Sequence, residues 1–210
     1  MVAYLTDRKR VVLVGPSTRF LSGISYYTIK LSDALTASSL VEVVLFRHMI
    51  PKIIFPGRKR IGDALSSASF NSDIKVMEIL DWYNPVSWMI AASHMQDADV
   101  IIFQWWTSSV AHMYLAIQIM LFRKVPIILE CHEVVDPLEQ SILPIRVYSI
   151  IMGRIICSFA DKFLVHSKAE RTSIENLYHI QKDRIVVIPH GLYDQYPVIE
   201  KSVARKELGI

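Results

Sequence analysis

Seven short strand-like runs, several apolar at nearly every position and separated by stretches of helical length, constrain this chain more than any other feature. They are VVLVG (11–15), VEVVLF (41–46), KVMEIL (75–80), DVIIFQW (99–105), PIILEC (126–131), KFLVHS (162–167) and RIVVIP (184–189). A strand with one wet face alternates apolar and polar residues, whereas a continuous apolar run needs cover on both faces. The segments from Gly23 to Ala37 and around 86–97, 108–123, 141–160 and 168–178 are long enough to be the crossover helices that supply this cover. The expected fold is α/β, a doubly wound, mostly parallel Rossmann-like sheet.

The length of 210 residues suits one domain with a sizeable core. The apolar fraction is 52%, but Arg123, Arg146 and Arg154 interrupt the longest apolar stretches, so no run of roughly 18 residues reads as a membrane span. The first residues carry their charges directly before a strand and lack the pattern of a signal peptide, so a cytoplasmic location is expected. Cys131 and Cys157 form no disulfide framework or zinc module and are expected to be reduced core residues. A net charge of +3 is too small to suggest nucleic acid. Locally, PKIIFPGRKR (51–60) joins apolar and basic residues, and two readings stay open for it: a solvated surface loop, or peripheral contact with the inner face of an anionic membrane.

In a parallel sheet of this kind, ligands bind outside the carboxyl ends of the strands. The first loop there, GPSTRFLSGIS (15–25), brings Gly23 to a helix N-terminus, where bare N–H groups favour a phosphate or carboxylate. The dinucleotide fingerprint G-x-G-x-x-G is absent, which disfavours a nicotinamide enzyme. ECHEVVDP (130–137) follows the fifth strand and offers His132 as the candidate for chemistry, flanked by Glu130, Glu133 and Asp136. It lacks the second histidine of H-E-x-x-H, so no metal is expected. Cys131 points away from His132 by strand alternation. Gln104, Trp105 and Trp106 end the fourth strand, where an indole and an amide suit a sugar, with at most one of the two indoles touching it. Ser167 reads as a helix cap, and His166 as a strand residue facing the surroundings of the sheet.

Taken in order, the loop with Ser22-Gly23, N-P-V-S-W (84–88), D-V-I-I-F-Q-W-W (99–106), the histidine after the fifth strand, A-D-K-F-L-V-H-S (160–167) and I-P-H-G (188–191) resemble the retaining glycosyltransferases of family 4. The family has a glycine pair where Ser22-Gly23 stands here. The resemblance implies one half of a two-domain GT-B enzyme that transfers a sugar from a nucleotide-sugar donor to a hydroxyl or lipid-linked glycan acceptor with retention and no metal cofactor. It implies donor contacts at Ser22 and Gly23, a catalytic role for His132, acceptor contacts at Gln104, Trp105, Glu133 and Asp136, and a hinge at Pro189, His190 and Gly191. Residues 1–198 would be the N-terminal, acceptor-side domain and 199–210 the start of a linker. The family's second domain, with its basic pair and E-x7-E motif, finds no counterpart here, so it would be fused, encoded separately or lost, and this chain alone would be inactive. A different class remains open: a non-catalytic binding or membrane-recruiting module that keeps the fold, drawing on residues 51–60 and 142–156.

Overall fold

The computed structural model describes residues 8–18, 22–48, 69–134, 136–191 and 199–209. The basic segment 51–60 lies outside the described residues. Seven strands form one sheet: β1 (Lys9–Gly15), β2 (Ser39–His48), β3 (Lys75–Asp81), β4 (Val100–Trp105), β5 (Ile127–Cys131), β6 (Lys162–Val165) and β7 (Ile185–Val187). Their order is β3-β2-β1-β4-β5-β6-β7 and every pairing is parallel. The chain steps outward from β1 to β3 and then returns to place β4 on the other side of β1, so its first and second halves diverge at the β1–β4 junction. Loops leaving the carboxyl ends there open a crevice.

The helices are α1 (Gly23–Leu35), α2 (Pro85–Met95), α3 (Ala111–Leu121), α4 (Pro137–Ser141), α5 (Leu143–Ser158), α6 (Lys168–Tyr178) and α7 (Lys201–Leu208). Leu31 and Leu35 of α1 pack on Val11, Leu13, Val41, Val43, Leu45 and Ile102. The opposite sheet face, through Val12, Val14, Phe103, Leu129 and Phe163, shares a larger core with α2, α3, α5 and α6. Cys131 and Cys157 are free and buried in that larger core.

Local chemistry sets the helix ends. Asn84 Oδ1 accepts the Val86 N–H at 3.1 Å, with Pro85 opening α2 where a missing N–H costs nothing. Ser167 Oγ accepts the Glu170 N–H at 3.1 Å while the Glu170 carboxylate accepts the His166 N–H at 2.8 Å, a reciprocal cap that confirms the reading of Ser167. The segment expected to be helical around 141–160 forms α5 at Leu143–Ser158, set off by a break from the short α4 before it. Pro144 cannot donate to the carbonyl of Gln140 and its ring would collide with it, so the chain breaks at Ile142 (φ −117°, ψ 109°) and restarts as α5. At Gly153 of α5 an added Cβ would lie 2.6 Å from the buried Tyr178 ring, so a glycine is what lets α5 and α6 approach.

A candidate site at the carboxyl edge of the sheet

On the face covered by α1 the sheet turns from apolar to polar within one pleat. Leu13, Ile102 and Ile128 lie side by side in register, and two residues further on come Gly15, Gln104 and Glu130. Gln104 lies across Gly15 so closely that a Cβ there would collide with its Oε1 and sit 3.1 Å from its Cδ. The Gln104 amide accepts a hydrogen bond from Thr28 Oγ1 (2.5 Å) and donates one to Glu130 Oε2 (3.2 Å). Tyr27, beside Thr28 on α1, donates its hydroxyl to Glu130 Oε1 at 2.7 Å. Glu130 is fully buried, and burial raises its carboxyl above the usual carboxylate range despite the opposing pull of Tyr27, Gln104 and His166. Burial, then the charge of Glu130, likewise raises the Tyr27 phenol.

Above this layer stand three imidazoles, each from just beyond a consecutive strand: His132 after β5, His166 after β6 and His190 after β7. The His166 and His190 rings stack with centroids 3.8 Å apart, and His132 lies 4.9 Å and 5.5 Å from them. Tyr27 meets all three edge-on at 4.7–5.3 Å. The His132 N–H donates to the Trp105 carbonyl at 2.8 Å, prolonging the β4–β5 ladder and holding the ring in place. His166 Nδ1 sits 2.9 Å from the Ile188 carbonyl; a carbonyl only accepts, so this nitrogen carries the proton. Among the described residues, neither ring nitrogen of His132 has a hydrogen-bond partner, and neither does His166 Nε2. Burial, then the neighbouring His166 and His190, push the His132 imidazole down to about 3, so it is neutral near pH 7. Its Nε2 lies 3.8 Å from Glu130 Oε2, too far for a hydrogen bond, and a neutral ring makes no ion pair with that carboxylate.

Beside His132 opens a cleft of about 690 Å³, lined also by Glu133, Gln140, Glu170, Ser173 and Asn176. Burial, then repulsion from Asp136, Glu139 and Glu170, raises the Glu133 carboxyl. A cleft with two carboxylates and several amide and hydroxyl groups suits a polyol and repels a diphosphate.

The structure brings His132, Glu133 and Asp136 to this edge, and places His190 in the same cluster as His132. Pro189, His190 and Gly191 lie in exposed coil after β7. Ser22 Oγ is occupied as the cap of α1, accepting the Ser25 N–H at 3.1 Å, and Gly23 is the exposed first residue of that helix. Three expectations are corrected. Trp105 is 2% exposed within the core beside Tyr114, so it has no face for a sugar; the half-buried indole is Trp106, against Phe46. Gln104 is fully buried with its amide spent on Thr28 and Glu130, so it orders the site from below without reaching a ligand. His166 faces inward, not outward. Sequence reasoning missed Tyr27 and gave Glu130 no role of its own, although a glutamate within a buried apolar strand was the available signal.

Residues 21–195 match the profile of Glycosyltransferase Family 4. A search of curated protein sequences returned no match. Among solved structures, a sucrose-phosphate synthase from Thermosynechococcus elongatus aligns with TM-score 0.65 and 12% identity over 97% of this chain and 53% of its own. A glycosyltransferase from Rickettsia africae aligns with TM-score 0.55 and 14% identity over 97% and 50%. A lipopolysaccharide outer core galactosyltransferase aligns with TM-score 0.53 and 12% identity over 87% and 46%. This chain therefore spans about half the length of the structures it matches. At these identities the structures speak for the shared fold, half of a GT-B architecture, and the profile match over most of the chain carries the family: the protein belongs to glycosyltransferase family 4.

Proposed function

We propose that this chain is the acceptor-side half of a retaining glycosyltransferase, which transfers a sugar from a nucleotide-sugar donor to a hydroxyl acceptor when a C-terminal donor domain, fused or separately encoded, completes the cleft. The observation that carries the reading is His132, a neutral imidazole with unpartnered nitrogens at a carboxyl strand end beside a polar, acidic cleft. A neutral imidazole can both donate and accept, which suits a hydroxyl of the donor sugar. Glu133 and Asp136 would take hydrogen bonds from acceptor hydroxyls, and Glu130 with Gln104 and Tyr27 would hold the floor beneath the imidazoles. The donor diphosphate would approach Ser22 and the N-terminus of α1 at Gly23, away from the carboxylates. Pro189 to Gly191 would lead to the second domain, the remaining linker following from residue 199. The chemistry we assign is stabilisation of the departing diphosphate by oriented dipoles and charges, without a covalent protein nucleophile and with no metal taking part in the transfer.

The test is turnover of the completed enzyme. His132→Ala should lower kcat about 100-fold, the scale of losing one oriented transition-state contact, with the melting temperature retained. Near-normal turnover would remove His132 from the chemistry, and the isolated chain is expected to show no transfer.

A second reading, recruitment to a membrane surface, rests on α5. Leu143, Val147, Ile151 and Ile155 form an exposed apolar stripe at i, i+4 spacing beside exposed Arg146 and Arg154, and α5 has no acidic residue. Among the described residues no helix is long and apolar enough to cross a membrane. Such a helix would rest on an anionic bilayer at the cytoplasmic face, which would also present a lipid-linked acceptor. Salt-sensitive flotation with anionic vesicles, lost in Val147→Glu with Ile151→Glu, would support it, and no flotation at low salt would remove it.

A further inference from the structure

The three histidines have a property that sugar transfer does not require. One ring nitrogen from each of His132, His166 and His190 lies within 4.8 Å of the others. We infer that these imidazoles form a binding site for one zinc-class divalent cation at the carboxyl edge of β5, β6 and β7.

The chemistry of the donors supports this assignment. His166 is oriented by its Nδ1–H on the Ile188 carbonyl, the backbone contact that typically orients a ligating imidazole, and its Nε2 lone pair is left bare. The His132 and His166 side chains are 3% and 4% exposed, yet three of their four ring nitrogens have no hydrogen-bond partner among the described residues. A buried polar atom left unpaired is destabilising, so these nitrogens are available to a ligand. A bound cation would accept the lone pairs. Its charge would be balanced by Glu130, whose oxygens lie 3.8 Å from His132 Nε2 and 4.0 Å from His166 Nε2 and are held back by Tyr27 and Gln104. Glu130 thus acts from outside the coordination shell.

Imidazole donors select zinc-like ions over magnesium or calcium, which demand oxygen. Tetrahedral zinc with bonds of about 2.0–2.1 Å brings its nitrogens to about 3.3 Å from one another, so the cluster must tighten. Adjacent parallel strands fix His132 and His166. His190 is the ligand that would have to move: it is exposed, lies in coil, and precedes Gly191, around whose Cβ position no described atom lies within 4 Å. Three protein ligands leave a fourth position for solvent.

The site shares His132 with the proposed donor contact, so cation and donor would compete. Binding can be measured on this chain without donor, so either assignment can fail while the other stands. Chelator-treated protein would be titrated with zinc chloride by calorimetry and with cobalt(II) by visible absorption. We expect one saturable zinc per chain, nitrogen-ligand cobalt bands, and at least a tenfold loss of affinity in both His190→Ala and His190→Gln. His48→Ala, which removes an exposed histidine paired with Asp81 at 3.0 Å on a different strand pair, should bind as the parent does. No saturable binding, equal binding by the His190 variants, or equal loss in His48→Ala would overturn the assignment. Circular dichroism of each metal-free variant would separate lost ligation from lost fold.

Discussion

Two glutamates on neighbouring regions of one sheet meet opposite fates. Glu42, near the start of β2, receives both Arg10 Nε and Nη2 at 3.1 Å, His94 Nε2 at 2.5 Å, and Lys75 Nζ at 3.7 Å. Burial alone would raise its carboxyl, but the hydrogen bonds and charges of Arg10 and His94 outweigh this and bring it down to about 2. Glu130, at the end of β5, has only neutral hydrogen-bond donors, and its carboxyl is raised. Both sites combine a carboxylate with histidine. The first is closed by cations and does structural work at the margin of the fold, whereas the second leaves electrostatic demand unmet at the carboxyl edge of the sheet, a pattern that clusters at functional sites.

The largest expected effect tests the packing of the second site. Gly15→Ala forces Gln104 off the ridge that joins Thr28 to Glu130, and overpacking of this kind costs about 1–3 kcal/mol. Chemical denaturation would measure it, and an unchanged midpoint would mean that the Gln104 bridge is not rigid. The next effect is charge at the first site. Glu42→Gln should lose about 1 kcal/mol near pH 7, since the side chains are partly exposed and solvent screening discounts the ion pairs. The sign follows from linkage: a depressed carboxyl contributes stability above its unfolded value, about 4.3, and loses it as pH falls through the folded value, so the gap between parent and variant should close between about pH 4.5 and 2. The smallest effect is the counterpart. Glu130→Gln keeps an acceptor for Tyr27 and removes a charge disfavoured by burial, but sets its amide N–H against that of Gln104; gain and loss offset, so stability near pH 7 should change by less than at position 42. A loss at position 130 as large as that at 42 would erase the contrast.

The strands were legible because burial on both faces writes itself into consecutive residues: all seven runs became strands, and the capped helix at 168–178 formed over those residues. The short α4 and the break at Ile142 were not read, although Pro144 encodes the break. At the site, His132 could be read from its position after a central strand. Alternation set Trp105 apart from Trp106 without saying which of them the core would bury, and it left His166 equally ambiguous. Tyr27 resembled any aromatic on a helix, because nothing local to α1 predicts a carboxylate beneath it.

By itself, the sequence determined the succession of strands and helices, the cap at Ser167, the class of sheet and which loops lie at its carboxyl edge, since each follows from short-range periodicity or a residue's own backbone chemistry. Only the tertiary structure decided which polar groups meet there. Tyr27 and Glu130 stand 103 positions apart, and the three histidines come from three different loops; strand order and register join them. Local pattern establishes that a side chain alternates. The partners it finds depend on non-local pairing, and with them whether a buried carboxylate or imidazole is satisfied.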